Sequence, residues 1–193
     1  MKLVLDKKHE NRIEFLASDL PIEFANMIRR YTLSRIPVLA IDHVTFYDNT
    51  SAFWDEYLAH RLGLMPIITP KNVPENAEII FTLDVEGPKT VYTSDLTSTD
   101  EEIKVAKDNI PIATLGANQR MRLEGKAVLG KATRHAKFQA GMVGYGQEEK
   151  GLRMFVESFF QMPPVDVLNR GCDAIISDIE DLEEAFGKKK KKK

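Results

Sequence analysis

Apolar residues recur along this chain with two periods, and each change of period marks where a strand gives way to a helix. Leu3 and Leu5 alternate with Lys2, Val4 and Asp6, and Ile13 and Phe15 with Arg12 and Glu14. The polar stretch from Asp6 to Asn11 between them predicts a two-stranded hairpin. Helical spacing follows: Phe24, Met27, Ile28 and Tyr31 stand at i, i+3, i+4 and i+7, with Arg29 and Arg30 beside the stripe. Asp19 offers an N-cap oxygen, Pro21 falls in the first turn and Glu23 faces the positive end of the helix dipole. Pro37 disfavours helical geometry at Ile36 and hands over to Val38–Phe46, an apolar run of strand length that reads as buried on both faces. Asn49, Thr50 and Ser51 offer caps for a second helix, with Asp55 and Glu56 in its early turns. Trp54, Tyr57, Leu58, Leu62 and Met65 keep helical spacing there, Gly63 supplies a flexible end and Pro66 prevents continuation.

Downstream the period returns to two. Ala77, Ile79, Phe81, Leu83 and Val85 alternate with polar residues, which predicts a half-buried strand, and Gly87 and Pro88 form the turn after it. Thr90–Ser94 resumes extended, Leu96–Glu102 is acidic and polar, the pattern assigns no structure to residues 96–110, and Asp108–Leu115 is apolar without a clear period. Met121, Leu123, Gly125, Ala127 and Leu129 form a second two-faced strand ended by Gly130. The glycine-rich, locally basic segment to Gln147 and a turn at Glu148–Gly151 lead to a strand at Leu152–Phe160. Pro163 and Pro164 introduce a last helix. There Val165, Leu168, Cys172, Ile175, Ile179, Leu182 and Phe186 follow alternating three- and four-residue steps, a heptad seam that Gly171 weakens. Such a seam serves equally to cover the chain's own sheet or to receive a partner helix.

At 193 residues, 43% hydrophobic and 29% charged, the chain can bury one large core or two small ones. No apolar run approaches the length of a membrane span, and the N-terminus has no apolar signal region, so a cytoplasmic protein is expected. Cys172 is the one cysteine, which allows no internal disulfide and no multi-cysteine metal or iron-sulfur site. The net charge of −2 conceals an asymmetry. Without the run Lys188–Lys193, 21 basic residues stand against 29 acidic ones, a body of −8 with no basic face of the kind DNA phosphates select. The run itself reads as a solvated, disordered tail.

Candidate chemistry is sparse. Glu56 and His60 share a helical face next to Asp55, with His43 as a possible third metal ligand, but helix-end and packing roles account for them. His135 among Lys131, Arg134 and Lys137 suggests an anion site or a solvated face. The run "GMVGYG" matches neither phosphate-binding glycine motif, and Cys172 lies on an apolar seam rather than in a nucleophile's setting. No residue stands out as catalytic. Arg29 and Arg30 could clamp partner carboxylates or simply face water.

The run "FANMIRRYTLSRIPVLAID" (Phe24–Asp42), followed by "DEYLAHRLGLMPI" (Asp55–Ile67), resembles the alpha-type assembly subunits of cellular RNA polymerases, and among them the archaeal D subunit. "ESFFQMPPVDVL" (Glu157–Leu168) is similar to the family's entry into its last helix, so the likeness extends nearly to Phe186. It implies an α+β fold. Residues 1–46 and 152–187 would form a dimerisation domain of antiparallel strands with two helices on one face, residues 47–151 an inserted, mostly β domain, and 188–193 the tail. It also implies a non-catalytic role in DNA-templated transcription. The chain would pair with subunit L through Phe24, Met27, Ile28 and Tyr31 and the seam from Val165 to Phe186, join subunits N and P, and meet the second-largest subunit through Arg29 and Arg30. Asp55, Glu56, His60, Arg61, Gly63 and Pro66 would be structural motif residues. Many archaeal D subunits carry a ferredoxin-like insertion before the strand resembling Leu152–Phe160; "GQEEKG" stands there instead, so no iron-sulfur cluster or other cofactor is expected. Two alternatives remain, a homodimeric scaffold using the same seam on itself and a small metal-binding enzyme using Glu56, His60 and His43.

Overall fold

Among the described residues the two periods translate into ten strands and three α-helices: β1 (Lys2–Lys8), β2 (Arg12–Ser18), α1 (Ile22–Ser34), β3 (Val38–Asn49), α2 (Asp55–Gly63), β4 (Glu78–Glu86), β5 (Lys89–Tyr92), β6 (Thr97–Ser98), β7 (Pro111–Leu115), β8 (Arg120–Gly130), β9 (Gly141–Glu148), β10 (Gly151–Ser158) and α3 (Pro164–Lys190). This computed structural model describes residues 2–190, with side chains through Gly187. The fold is α+β with antiparallel sheets. Contacts divide it into two units, one built from the two ends of the chain, up to Ile36 and again from Gln139, and one formed by residues 37–138. These limits differ from the expected 46/47 and 151/152 because backbone ladders decide membership. β3 pairs with β8 along its whole length, which places it in the second unit, and β9 pairs with β10, which places it in the first.

In the first unit the sheet order is β1-β2-β10-β9, antiparallel throughout. Ile13, Phe15 and Ala17 stand opposite Val156, Met154 and Leu152, and all six are buried. α1 packs on β9 and on α3, and α3 packs on β10 and β2. The glycines that hid β9 are what let it pair closely. A Cβ on Gly144 would overlap the Phe155 ring, and one on Gly141 would meet the Glu157 carbonyl.

Local signals moved by a few residues. α1 is capped by Pro21 without a side-chain bond, while Asp19 sits at φ 58° in the turn before it rather than at the cap. α2 likewise has Trp54 at its cap. Asn49 braces that entry from outside, its amide donating to the Phe53 carbonyl at 3.0 Å and to Asp55 Oδ1 at 2.6 Å. The backbone of α3 continues to Lys190, so the first three lysines of the terminal run extend a helix; the other three lie outside the described residues.

The second unit has a sheet of order β3-β8-β4-β6 and the antiparallel pair β5-β7. Its core gathers Leu39, Ile41, Leu58, Leu62, Phe81, Leu83, Met121 and Leu123. Only Val38–Ile41 of β3 is buried on both faces; beyond it the burial alternates. The sheet's outer face is a ladder of cross-strand charges, with Arg120 bonded to Asp84 at 2.9 Å and Lys126 to Glu78 at 2.7 Å.

Asp42 anchors the loop after β8. Its carboxylate receives Lys137 Nζ at 2.6 Å and Arg134 Nη2 at 2.7 Å, while Lys137 also donates to the Ile41 carbonyl at 3.2 Å. The lysine bond, aided by Arg134, holds the Asp42 carboxyl below the usual carboxylate range. A depressed folded-state pKa contributes stability that is fully present above the ordinary range, near pH 4, and is lost as pH falls through the lower folded value. Asp42→Asn is therefore expected to be less stable than wild type at pH 6, with the gap in urea midpoints closing on acidification. A gap that persists unchanged into strong acid would show that this pairing is not its source.

Candidate partner-binding surfaces

A helix face that its own chain leaves uncovered is the first surface to consider. On α1 the line turned inward is Ala25, Ile28 and Thr32, two of which a hydrophobicity scan passes over. Of the expected stripe, Ile28 is buried, Met27 and Tyr31 are half-buried and Phe24 is exposed. The Tyr31 hydroxyl donates to Asp178 Oδ2 at 2.9 Å, and this bond raises the phenol above its ordinary value; Arg35 lies 3.7 Å from the same oxygen. Arg29 donates to Asn26 Oδ1 at 2.9 Å and is half-buried, whereas Arg30 is exposed.

On α3 the inward line is Val167, Gly171 and Ile175. The heptad seam crosses this line at Ile175 and then leaves it. Leu168 and Cys172 are half-buried, while Val165, Ile179, Leu182 and Phe186 are exposed at 45, 50, 57 and 64%. Burial pushes the Cys172 thiol up, against any nucleophilic use. From Ile179 to Gly187 every residue is exposed, so more than two turns of α3 run beyond the cover of this chain. Ile176, also exposed and outside the strict heptad, widens the apolar strip.

The second surface is on α2. Leu58 and Leu62 are fully buried there, but Asp55, Glu56 and His60 face water. Arg61 bonds the Tyr57 hydroxyl at 3.3 Å and the Pro111 carbonyl at 2.5 Å, Gly63 is buried against the Ile41 carbonyl, and the Pro66 carbonyl accepts from the Ala106 N–H at 2.8 Å. Of the residues at helical spacing, Trp54 and Tyr57 are exposed. Trp54 stands 82% accessible beside the stacked rings of Phe53 and Tyr57, 5.2 Å apart. Helical spacing found these aromatics, but on so short a helix it could not say which were covered.

Other candidates disperse. Among the described residues no three His, Cys, Asp or Glu side chains gather to hold a metal ion, and His43 stands exposed on β3. Arg134 and Lys137 are committed to Asp42, which dissolves the suggested anion site around His135. Between β9 and β10, where "GQEEKG" stands in place of the longer insertion of many archaeal D subunits, the chain turns at once, Glu148 pairing with Gly151. Among the described residues no helix is long and apolar enough to cross a membrane.

Comparison with known proteins adds the family. The RNA polymerase Rpb3/RpoA insert domain matches residues 44–160. The chain is 42% identical over 182 residues to the DNA-directed RNA polymerase subunit Rpo3 of Methanocaldococcus jannaschii, covering 92% of this chain and 94% of that one. It is 43% identical over 139 residues to the Rpo3 of Halobacterium salinarum and 39% over 149 residues to that of Thermococcus kodakarensis. These matches cover 72% and 74% of this chain and only 56% and 57% of theirs, so it spans little more than half the length of those two relatives. The insert-domain match and the likeness running through almost the whole Methanocaldococcus protein together place this chain in the family of alpha-type subunits of archaeal RNA polymerase.

Proposed function

We propose that this chain is a short form of the archaeal D subunit, a non-catalytic assembly component of DNA-directed RNA polymerase. In this reading it pairs with subunit L through α1 and α3, joins subunits N and P, and offers the resulting platform to the large subunits, where nucleotidyl transfer takes place. It works in the cytoplasm and without a cofactor, since its single cysteine cannot ligate an iron-sulfur cluster. Arg29 and Arg30, beside the α1 stripe, contact the second-largest subunit. One observation carries the proposal: an apolar seam on α3 continues for more than two turns past the last residue its own chain buries. An isolated helix of that kind leaves apolar area in water that a partner helix would remove.

Co-expression with archaeal subunit L, followed by size-exclusion chromatography with light scattering, tests it. A stable 1:1 complex is the expected result. A discrete homodimer that ignores L would overturn the partner assignment and move the seam to a self-interface.

A further inference from the structure

Trp54 is the chain's one tryptophan, and it opens α2 with its side chain in water and its indole N–H without a partner among the described residues. The stretch that carries it is firmly held. Asn49 Oδ1 accepts from the Ser51 N–H at 3.2 Å and from its hydroxyl at 2.7 Å, and Ser51 Oγ accepts from the Phe53 N–H at 3.2 Å. The Trp54 carbonyl takes the first bond of α2, from the Leu58 N–H at 3.1 Å, while Arg61 fixes the Tyr57 hydroxyl. Phe53 and Tyr57, on either side of Trp54 in the chain, are locked on each other by stacking. Aromatic side chains displayed on so fixed a support lose little freedom when covered, and residues of this kind dominate binding where a partner desolvates them.

Charge indicates the kind of partner. Between Ile36 and Arg61 there is no lysine or arginine, whereas Asp48, Asp55 and Glu56 lie in that stretch. Glu56 is exposed and has no ion pair among the described residues. The basic side chains that the fold brings to this stretch are already engaged. Arg61 donates to the Tyr57 hydroxyl and the Pro111 carbonyl; Arg120, whose backbone bonds Thr50, and Arg122, over the Tyr47 ring, both pair with Asp84. An indole followed directly in the chain by two carboxylates attracts a cation and repels a phosphate.

We infer that Trp54, with Phe53 and Tyr57, is a docking platform for an arginine or lysine side chain of another polymerase subunit, the cation lying over the indole and its charge met by Glu56. The inference rests on the assembly reading above and adds an attachment point in the second unit, where that reading names no contact.

Fluorotryptophan incorporated into this chain alone gives a single fluorine resonance that reports what covers Trp54. The labelled chain, in complex with archaeal subunit L, is titrated with unlabelled subunit N, subunit P and the second-largest subunit, separately and together. One of the three is expected to move the resonance. For that same subunit Trp54→Ala should weaken binding at least about tenfold, and Glu56→Lys about three- to tenfold at about 50 mM salt, the latter effect fading by about 500 mM. Urea midpoints check that both variants fold like wild type. Subunits that bind without moving the resonance, and bind both variants like wild type, would overturn the inference and leave the assembly reading standing; a chain that joins none of the four would overturn both. A loss with Trp54→Ala but none with Glu56→Lys at low salt would overturn the cationic partner. A resonance in the free chain that moves with its own concentration, or on adding a single-stranded oligonucleotide, would assign the platform to a second copy or to nucleic acid instead.

Discussion

Ile175→Asp is expected to unfold the first unit, whereas Ile179→Asp with Leu182→Asp should leave it folded and unable to hold a partner. The three residues lie on one heptad seam, and their burial separates them. Ile175 is 5% exposed, buried like Ala25, Ile28 and Val167, while Ile179 and Leu182 are half exposed or more. Replacing Ile175 removes a buried aliphatic chain and puts a carboxylate in a buried site, together about 4–5 kcal/mol, close to the whole stability of a small domain. The same change at the two exposed sites costs the isolated chain within about 0.5 kcal/mol each. At the helix–helix interface proposed above, however, it would remove two central anchors, for a loss of roughly 100-fold or more in affinity for subunit L. Urea unfolding of the free chain and a binding titration read the two effects separately. A normally folded Ile175→Asp, or a double variant that binds L like wild type, would show that the inward and outward lines of α3 have been confused.

Gly171→Ala is the second large effect, and its sign is opposite to the one helix propensity gives. Alanine gains about 1 kcal/mol over glycine inside a helix. Here, though, Gly171 is buried where α3 crosses α1, and an added Cβ would overlap Thr32 Oγ1 and press on Thr32 Cβ at 3.3 Å. Overpacking of this kind costs typically about 1–3 kcal/mol, so a net loss of about 1 kcal/mol is expected. Thr32 Oγ1 is itself buried without a hydrogen-bond partner among the described residues, so Thr32→Ala alone should be close to neutral. The double variant Gly171→Ala/Thr32→Ala should then recover most of the loss, giving a coupling of about 1 kcal/mol in a denaturation cycle. Strict additivity would mean that the helices do not meet at this pair.

What the sequence disclosed, and what it withheld, follows from the same contacts. Strands β4 and β8 were legible because one face of each is core and the other is charged. The last helix was legible because its apolar spacing is long. β9 was not, since Gly141 and Gly144 leave no periodicity to read and are there because neighbours come too close for a side chain. The inward line of α1 was hidden for a related reason: Ala25 and Thr32 are chosen for size at a crossing, not for hydrophobicity. Trp54 and Tyr57 mislead in the opposite sense, being apolar and outward. The Asp42–Lys137 anchor joins residues too far apart in sequence for spacing to suggest it. Among the candidate residues, the seam was visible in its spacing, but the division at Ile175 between structural and available positions needed the packed helices.

The pairing of β2 with β10 constrains the order in which the protein can be made. During synthesis the N-terminal hairpin leaves the ribosome first, but its sheet neighbour is complete only when Ser158 has been added, and the helix that covers both follows later still. Residues 37–138 form their sheets from one continuous stretch and can settle while the chain is still growing. The two N-terminal strands must meanwhile wait with Ile13, Phe15 and Ala17 unshielded, a long interval for an exposed β edge. Molecular chaperones, rather than any partner of α3, are the natural guardians of that interval, because α3 follows β10 in the chain and is translated after it.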